Sequence, residues 1–185
     1  FTPFDWILFV SIGLIWGSSF LLMDIGLEAF HPGLITWMRI GLGAIVLGLA
    51  PRARRRIEPF DRPRLIALSF VWVAIPFTLF PIAQQYINSA VAGMLNGAMP
   101  IFAAVIATIF LRKLPHGALL IGLILGFVGV GAISLSSATG DSSEALGVLL
   151  VLLAVLCYGL AINIAAPITQ QYGALAVNAQ MLVYA

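Results

Sequence analysis

Long apolar segments separated by short polar loops dominate the hydropathy pattern of this chain. Six of them, residues 6–23, 33–50, 65–83, 90–111, 117–135 and 145–166, are long enough to cross a bilayer, since about 20 mostly apolar residues span about 30 Å of hydrocarbon. Lipid offers the backbone no hydrogen-bond partners, so the segments are predicted to be helices.

Composition leads to the same class of protein. Hydrophobic residues make up 62% of the chain, charged residues only 9%, and the mean hydropathy is +1.10, whereas soluble domains carry about 25% charged residues. The predicted fold is therefore an all-α integral membrane protein, a multi-helix bundle. A seventh apolar segment begins near Ala174 and stops at Ala185, too short to cross, and the chain opens at Phe1 without a methionine. The sequence is therefore expected to be part of a longer protein.

The charged residues predict an orientation. Eight of the nine basic residues fall in two loops, residues 51–64 and 112–113, while the loops on the opposite side carry the acidic residues Asp24, Glu28, Asp141 and Glu144. The positive-inside rule then places the basic loops and the N-terminus in the cytoplasm. An arginine-rich loop beside a bilayer also attracts anionic headgroups, and between membrane spans it does not indicate nucleic-acid binding.

Arg39 is the one charge well inside a predicted span. A charged side chain at that depth is costly, and it is by default a functional-site hypothesis whose partner must be named. Asp24 and Glu28, on the outer side of the first span, are the candidate partners. Two interpretations stay open: a structural Asp24–Arg39 pair, or an arginine that takes part in substrate or proton binding.

The first span contains the stretch Trp16-Gly17-Ser18-Ser19 near the middle of the bilayer. Transporters place substrate sites at that depth. There, Trp16 offers an aromatic wall and Ser18 or Ser19 a hydroxyl. The alternative is that these residues only pack helices.

A second polar position lies in the fourth span. Pro100 cannot donate to the carbonyl of Asn96, four residues earlier, so one turn holds a polar side chain and a freed acceptor. Asn96 is therefore either a clamp between helices or part of a cavity wall. In the sixth span Tyr158 is a further candidate, with simple packing as its alternative.

The sequence contains no catalytic constellation. His31 and His116 fall in loops on opposite sides of the membrane, and neither has a partner at metal-ligand spacing. Nucleophile-elbow, phosphate-binding and zinc-protease motifs are absent from the sequence. We therefore expect neither an enzyme nor a bound metal or cofactor.

The order of several motifs resembles a known family. "WGSSF" is followed by Arg39, then by "SAVAGMLNGAMPIFAAVIATIFLRK" and "GALLIGLILGFVGVGAIS". Over residues 6–136 this order resembles the EamA-like domain of the drug/metabolite transporter superfamily. The resemblance implies ten helices in two five-helix repeats of inverted orientation. Residues 1–140 would form the first repeat, and residues 141–185 the truncated start of the second.

The function expected from this resemblance is secondary active transport. The protein would export small metabolites or amino-acid-like solutes across the cell inner membrane by alternating access, with protons as a candidate coupling ion. The predicted substrate-binding residues are Trp16, Ser18, Ser19, Arg39, Asn96 and Tyr158, with Asp24 as the charge partner of Arg39. The alternative is a non-transporting membrane scaffold or assembly subunit, which would have no pocket lined by Trp16, Asn96 and Tyr158.

Overall fold

Nine α-helices make up most of the part of the chain that the structure, a computed structural model, describes: residues 2–112, 114–138 and 142–185. In chain order they are α1 (Pro3–Leu27), α2 (Pro32–Leu49), α3 (Arg62–Ser69), α4 (Ile75–Ala83), α5 (Ser89–Asn96), α6 (Met99–Leu111), α7 (Ala118–Ala138), α8 (Ser142–Tyr172) and α9 (Ala174–Tyr184).

The prediction of six membrane spans is confirmed by helix length and apolar composition. The six are Pro3–Leu27, Pro32–Leu49, Pro59–Ala83, Ser89–Leu111, Ala118–Leu135 and Ser142–Tyr172, and Ala174–Tyr184 is a shorter apolar helix. Three sequence predictions lie outside the described residues: Lys113 of the second basic loop, Asp141 of the acidic loop, and the repeat boundary at 140/141.

Several helices begin before the apolar segments because polar caps precede them. The Thr2 hydroxyl accepts the Asp5 N–H at 3.3 Å, and the Asp5 carboxylate accepts the Thr2 N–H at 2.7 Å, which forms a capping box at the start of α1. His31 Nδ1 accepts the Gly33 N–H at 3.1 Å to cap α2. Asn88 caps α5 through the Val91 N–H at 2.9 Å.

The third span is not a regular helix. Between α3 and α4 lies a π-helical turn, Phe70–Ala74, in which the Ile75 N–H donates to the Phe70 carbonyl five residues back. Pro76 follows in the first turn of α4 and cannot donate to the Trp72 carbonyl. The sequence predicts a bend from its prolines here, and the structure accommodates it as a wider turn.

The fourth span is broken where Pro100 predicts a defect. α5 ends at Asn96 and α6 begins at Met99, with Pro100 in its first turn. Both Ile101 and Phe102 donate their N–H groups to the Ala98 carbonyl. Two half-helices therefore meet within one span.

α8 is the central column of the bundle. It packs against α4 and α6 and also contacts α3, α5, α7 and α9. Two apolar clusters share it: one gathers around Val151, Val155 and Tyr158, and the other around Ala161 and Ile168. Most apolar side chains of α1, in contrast, are exposed, and its buried residues are Phe20 and Met23.

The close approach of α8 to α6 requires a glycine. A Cβ on Gly159 would lie 2.9 Å from the Ala103 nitrogen and from the Phe102 carbonyl carbon, both rigid backbone atoms. Beside it, the Asn163 side-chain amide donates to the Ala103 carbonyl at 3.0 Å and to the Gly159 carbonyl at 2.8 Å. Backbone contact and a polar bond together fix α8 against α6.

Gly159→Ala is therefore expected to destabilise the bundle by about 1–3 kcal/mol, because the added methyl group forces α8 away from α6. Thermal unfolding of the detergent-solubilised protein measures the change. Gly122→Ala in α7 is the matched control, since its Cβ meets nothing within 4 Å. Equal melting temperatures for the two variants would contradict this account of the α6–α8 contact.

Candidate functional site

An open groove of about 460 Å³ runs between α1 and α5. We call it the α1–α5 groove. Trp16 and Asn96 both line it, together with the small residues Gly13, Gly17, Gly93 and Gly97. Two predicted site residues that are 80 positions apart thus share one wall of the bundle.

Asn96 brings an unsatisfied acceptor to this groove. Its Oδ1 atom is buried and has no hydrogen-bond partner among the described residues. Pro100 also keeps the Asn96 backbone carbonyl from receiving its usual N–H. A buried acceptor without a donor costs about 1–3 kcal/mol, so this helix break favours a ligand or water that supplies a donor.

Arg39 connects three helices. Its guanidinium donates to the Ser19 hydroxyl at 3.2 Å and to the Met23 sulfur at 3.3 Å, both on α1. The same group lies over the Phe77 ring of α4, with 4.4 Å between the guanidinium carbon and the ring centroid. These contacts offset part of the cost of placing a cation in a span.

The predicted Asp24–Arg39 pair is not formed in this conformation. Among the described residues, Arg39 contacts Ser19, Met23 and Phe77 rather than a carboxylate. Asp24 follows Met23 directly along α1. Pairing of the two charges in another conformation stays a prediction.

Ser18, Ser19 and Arg39 line a second groove, of about 320 Å³, between α1 and α2. We call it the α1–α2 groove. Ser19 is engaged by Arg39, whereas the Ser18 hydroxyl donates to the Ile15 carbonyl of its own helix at 3.0 Å. α1 therefore separates Trp16 and Asn96 on one side from the serines and Arg39 on the other.

Tyr158 lines neither groove. It is buried on α8 and stacks on Phe80 with ring centroids 6.0 Å apart, and Phe80 meets Phe20 edge-on at 5.3 Å. This row of rings runs from α8 through α4 to α1. The pocket expected from Trp16, Asn96 and Tyr158 together therefore contains the first two residues only.

Two polar residues beside this region were missed by sequence reasoning. Gln84 is buried, and its Nε2 donates to the Phe20 carbonyl at 2.9 Å, while its Oε1 has no partner among the described residues. The sequence places Gln84 at the outer interface, but it follows Phe77 and Phe80 by seven and four residues. That spacing puts it on their inward face.

Thr36 is the second missed residue. Pro81 prevents the Phe77 carbonyl from receiving an intrahelical N–H, and the Thr36 hydroxyl of α2 donates to that carbonyl at 2.9 Å. The Pro32 carbonyl of α2 lies slightly farther from the same hydroxyl, at 3.1 Å, and competes for its single proton. Two residues of α2 thus contact Phe77 of α4. Thr36 bonds to its backbone carbonyl, and Arg39 lies over its ring. The sequence signal that could have identified Thr36 is its position one turn before Arg39, the charge within the span, together with Pro81, which leaves a carbonyl free in a neighbouring span.

Comparison with known proteins adds the family. The model of the EamA-like transporter family matches residues 5–135. The chain belongs to this family. That assignment confirms the resemblance seen in the motif order. No group of three or more metal-ligating side chains occurs among the described residues of this family member.

Curated relatives agree with the family. A protein described as an uncharacterized transporter of Archaeoglobus fulgidus is 26% identical over 70% of this chain and 47% of its own length. Protein PagO of Salmonella typhimurium is 27% identical over 75% of this chain and 46% of its own. The uncharacterized transporter YoaV of Bacillus subtilis is 28% identical over 82% and 53%. The chain thus spans about half the length of these relatives, and no solved structure matches it significantly.

Thr36→Val is expected to destabilise this EamA-like bundle by about 1 kcal/mol, because the Phe77 carbonyl loses its donor from α2. Thermal unfolding in detergent is the measurement. Thr108→Val is the matched control, since that hydroxyl donates only to Ala104 of its own helix, at 2.8 Å. If Thr108→Val costs as much, the bond between α2 and α4 does not carry the effect.

Proposed function

We propose that the protein is a secondary transporter that exports small metabolites or amino-acid-like solutes by alternating access. The observation that carries the proposal is the broken fourth span beside the α1–α5 groove, where the buried Asn96 Oδ1 has no partner within the described part of the chain. Irregular backbone at membrane depth is tolerated where it lines a cavity. Transporters use such breaks to bind substrates.

Substrate would bind to both sides of α1. In the α1–α5 groove, Trp16 supplies an aromatic face. The Asn96 Oδ1 atom is buried beside this groove, so it would accept a substrate N–H or O–H only after the helices around it move apart. In the α1–α2 groove, Ser18, Ser19 and Arg39 supply donors that suit a carboxylate. Tyr158 supports the aromatic row behind α1 and, in this proposal, contacts substrate in a conformation other than this one.

Alternating access requires a helix that can move. α1 buries few of its side chains, and Arg39 holds it through Ser19 and Met23. A shift of α1 would break these bonds and bring Asp24 toward the guanidinium. The Asp24–Arg39 pair would then belong to a second state, and protons are the proposed coupling ion.

The inverted-repeat arrangement belongs to the same proposal. Residues 1–140 would be the first five-helix repeat, and residues 141–185 the start of the second. Cys157-Tyr158-Gly159 of α8 would then correspond to Ile15-Trp16-Gly17 of α1. Among the described residues no pocket brings Trp16, Asn96 and Tyr158 together, as the scaffold alternative also expects. The match to the EamA-like transporter family and the relatives named as transporters are what favour transport.

Trp16→Ala and Arg39→Gln are expected to lower transport by about tenfold or more, a loss of about 1.4 kcal/mol in binding or translocation. The transport rate is measured in proteoliposomes of the full-length protein with a panel of labelled amino acids and small metabolites. Trp37→Ala on the exposed face of α2 and Arg64→Gln in α3 are the matched controls, with Trp37 71% exposed. Wild-type rates in both test variants would remove Trp16 and Arg39 from the mechanism.

The proposed orientation places the N-terminus and both basic loops in the cytoplasm of a bacterial cell, with the protein in the inner membrane. In a Cys157→Ala background, Phe30→Cys in the α1–α2 loop is expected to react with a membrane-impermeant maleimide in intact cells whose outer membrane admits it. Arg56→Cys, in the arginine-rich loop, is expected to react only after the inner membrane is opened. The reverse pattern would invert the proposed topology.

A further inference from the structure

An open pocket lies away from α1, where the arginine-rich loop meets the start of α9. Its volume is about 690 Å³, and we call it the arginine cavity. Three arginines line it without an acidic neighbour in the wall: Arg52, Arg54 and Arg55. The rest of the wall is formed by Pro51, Tyr172, Gly173 and the first residues of α9.

The loop that carries these arginines is anchored. Ala53 and Ile57 are buried at 3% and 2% exposure, and Ile57 joins the apolar cluster of α3, α8 and α9. The Gln180 side chain of α9 donates to the Arg55 carbonyl at 2.7 Å. The backbone between the arginines is therefore held before any ligand arrives, which lowers the entropic cost of binding.

The arginine side chains are oriented but not neutralised. Arg54 Nε donates to the Gly48 carbonyl at 3.0 Å, and Arg55 lies over the Tyr172 ring at 5.8 Å. The nearby Asp61 carboxylate accepts the Tyr172 hydroxyl at 2.7 Å. Among the described residues, the polar contacts of Arg54 and Arg55 are with backbone carbonyls, and no carboxylate pairs with a cavity arginine.

The start of α9 adds to the positive potential. Gly173 has a φ of 87°, and it precedes α9 without a side-chain cap. The cavity is lined by the first turn of α9, which contributes the N–H groups of Ala174, Leu175 and Ala176. Uncapped N–H groups and the helix dipole favour an anion, and guanidinium groups match the geometry of phosphate.

The depth of the cavity selects a lipid as the source of that anion. It lies where α2 ends at Leu49 and where α8 ends at Tyr172, and both helices belong to membrane spans. The end of a span is the level of the phospholipid phosphates. Toward the same end of α2, Ile45, Val46 and Leu49 are exposed at 63%, 64% and 69%, as expected for side chains in contact with acyl chains.

We propose that the arginine cavity binds the headgroup of an anionic phospholipid from the leaflet that faces the basic loops. The lipid joins the loop after α2 to the start of α9, so it would hold together two segments that are about 120 residues apart in sequence. This proposal stands independently of substrate transport.

Lipid binding to the full-length protein tests it. Purified protein in mild detergent is titrated with phosphatidylglycerol or phosphatidylcholine, and bound lipid is counted by native mass spectrometry. Phosphatidylglycerol is expected to bind about tenfold more tightly than phosphatidylcholine, or better. The variant Arg52→Gln/Arg54→Gln/Arg55→Gln is expected to weaken its binding by roughly 100-fold, since each arginine near an anionic surface contributes about 1 kcal/mol.

The matched control removes the same charge elsewhere on the basic side: Arg62→Gln/Arg64→Gln/Arg112→Gln. It is expected to weaken phosphatidylglycerol binding by less than about tenfold. If the cavity variant fails to fold, the single variant Arg52→Gln replaces it, because the Arg52 side chain makes no hydrogen bond with the described residues. Arg52→Gln is expected to weaken phosphatidylglycerol binding by about fivefold.

Three results would overturn the proposal. The first is equal loss of phosphatidylglycerol binding in the two triple variants, and the second is equal binding of the two lipids to the wild-type protein. The third is displacement of phosphatidylglycerol by inorganic phosphate at equal concentration, which would assign the cavity to a soluble anion.

Discussion

A backbone carbonyl inside hydrocarbon has no bulk water to donate to it, so a carbonyl that a proline leaves free depends on a donor from elsewhere in the chain, from cavity water or from a ligand. Thr36 supplies one to the Phe77 carbonyl that Pro81 leaves free. Asn163 reaches from α8 to the Ala103 carbonyl of α6. Such bonds set how the helices are rotated against one another, whereas a leucine gains about as much from lipid as from a neighbouring helix.

The same constraint explains why α1 is held as it is. Polar contacts to α1 come from Arg39 at Ser19 and Met23, and from Gln84 at the Phe20 carbonyl. They concentrate within about one turn of the helix, beside the row of aromatic rings. The remainder of α1 presents mostly exposed apolar side chains. In the proposed mechanism, this level would be the point about which α1 moves.

Much of the fold could be predicted from the sequence because hydropathy decides it. The six spans follow from apolar length, and the break in the fourth follows from Pro100. The site was harder to predict, because the side of α1 that meets each groove depends on contacts between helices. Arg39 was identified by its charge, but its partners Met23 and Phe77 are uncharged and carry no comparable signal. Gln84 was missed because a polar residue near the end of a span is normally at the interface.

The central position of α8 has a consequence for synthesis in the cell. Helices α1 to α7 leave the ribosome and enter the membrane before α8 does, so the space between α4 and α6 has no permanent occupant at that stage. Gly159 and Asn163 complete the contact with α6 only when α8 has been inserted. The contact that fixes the rotation of α6 against its neighbour therefore depends on a helix that is made later than α6 itself.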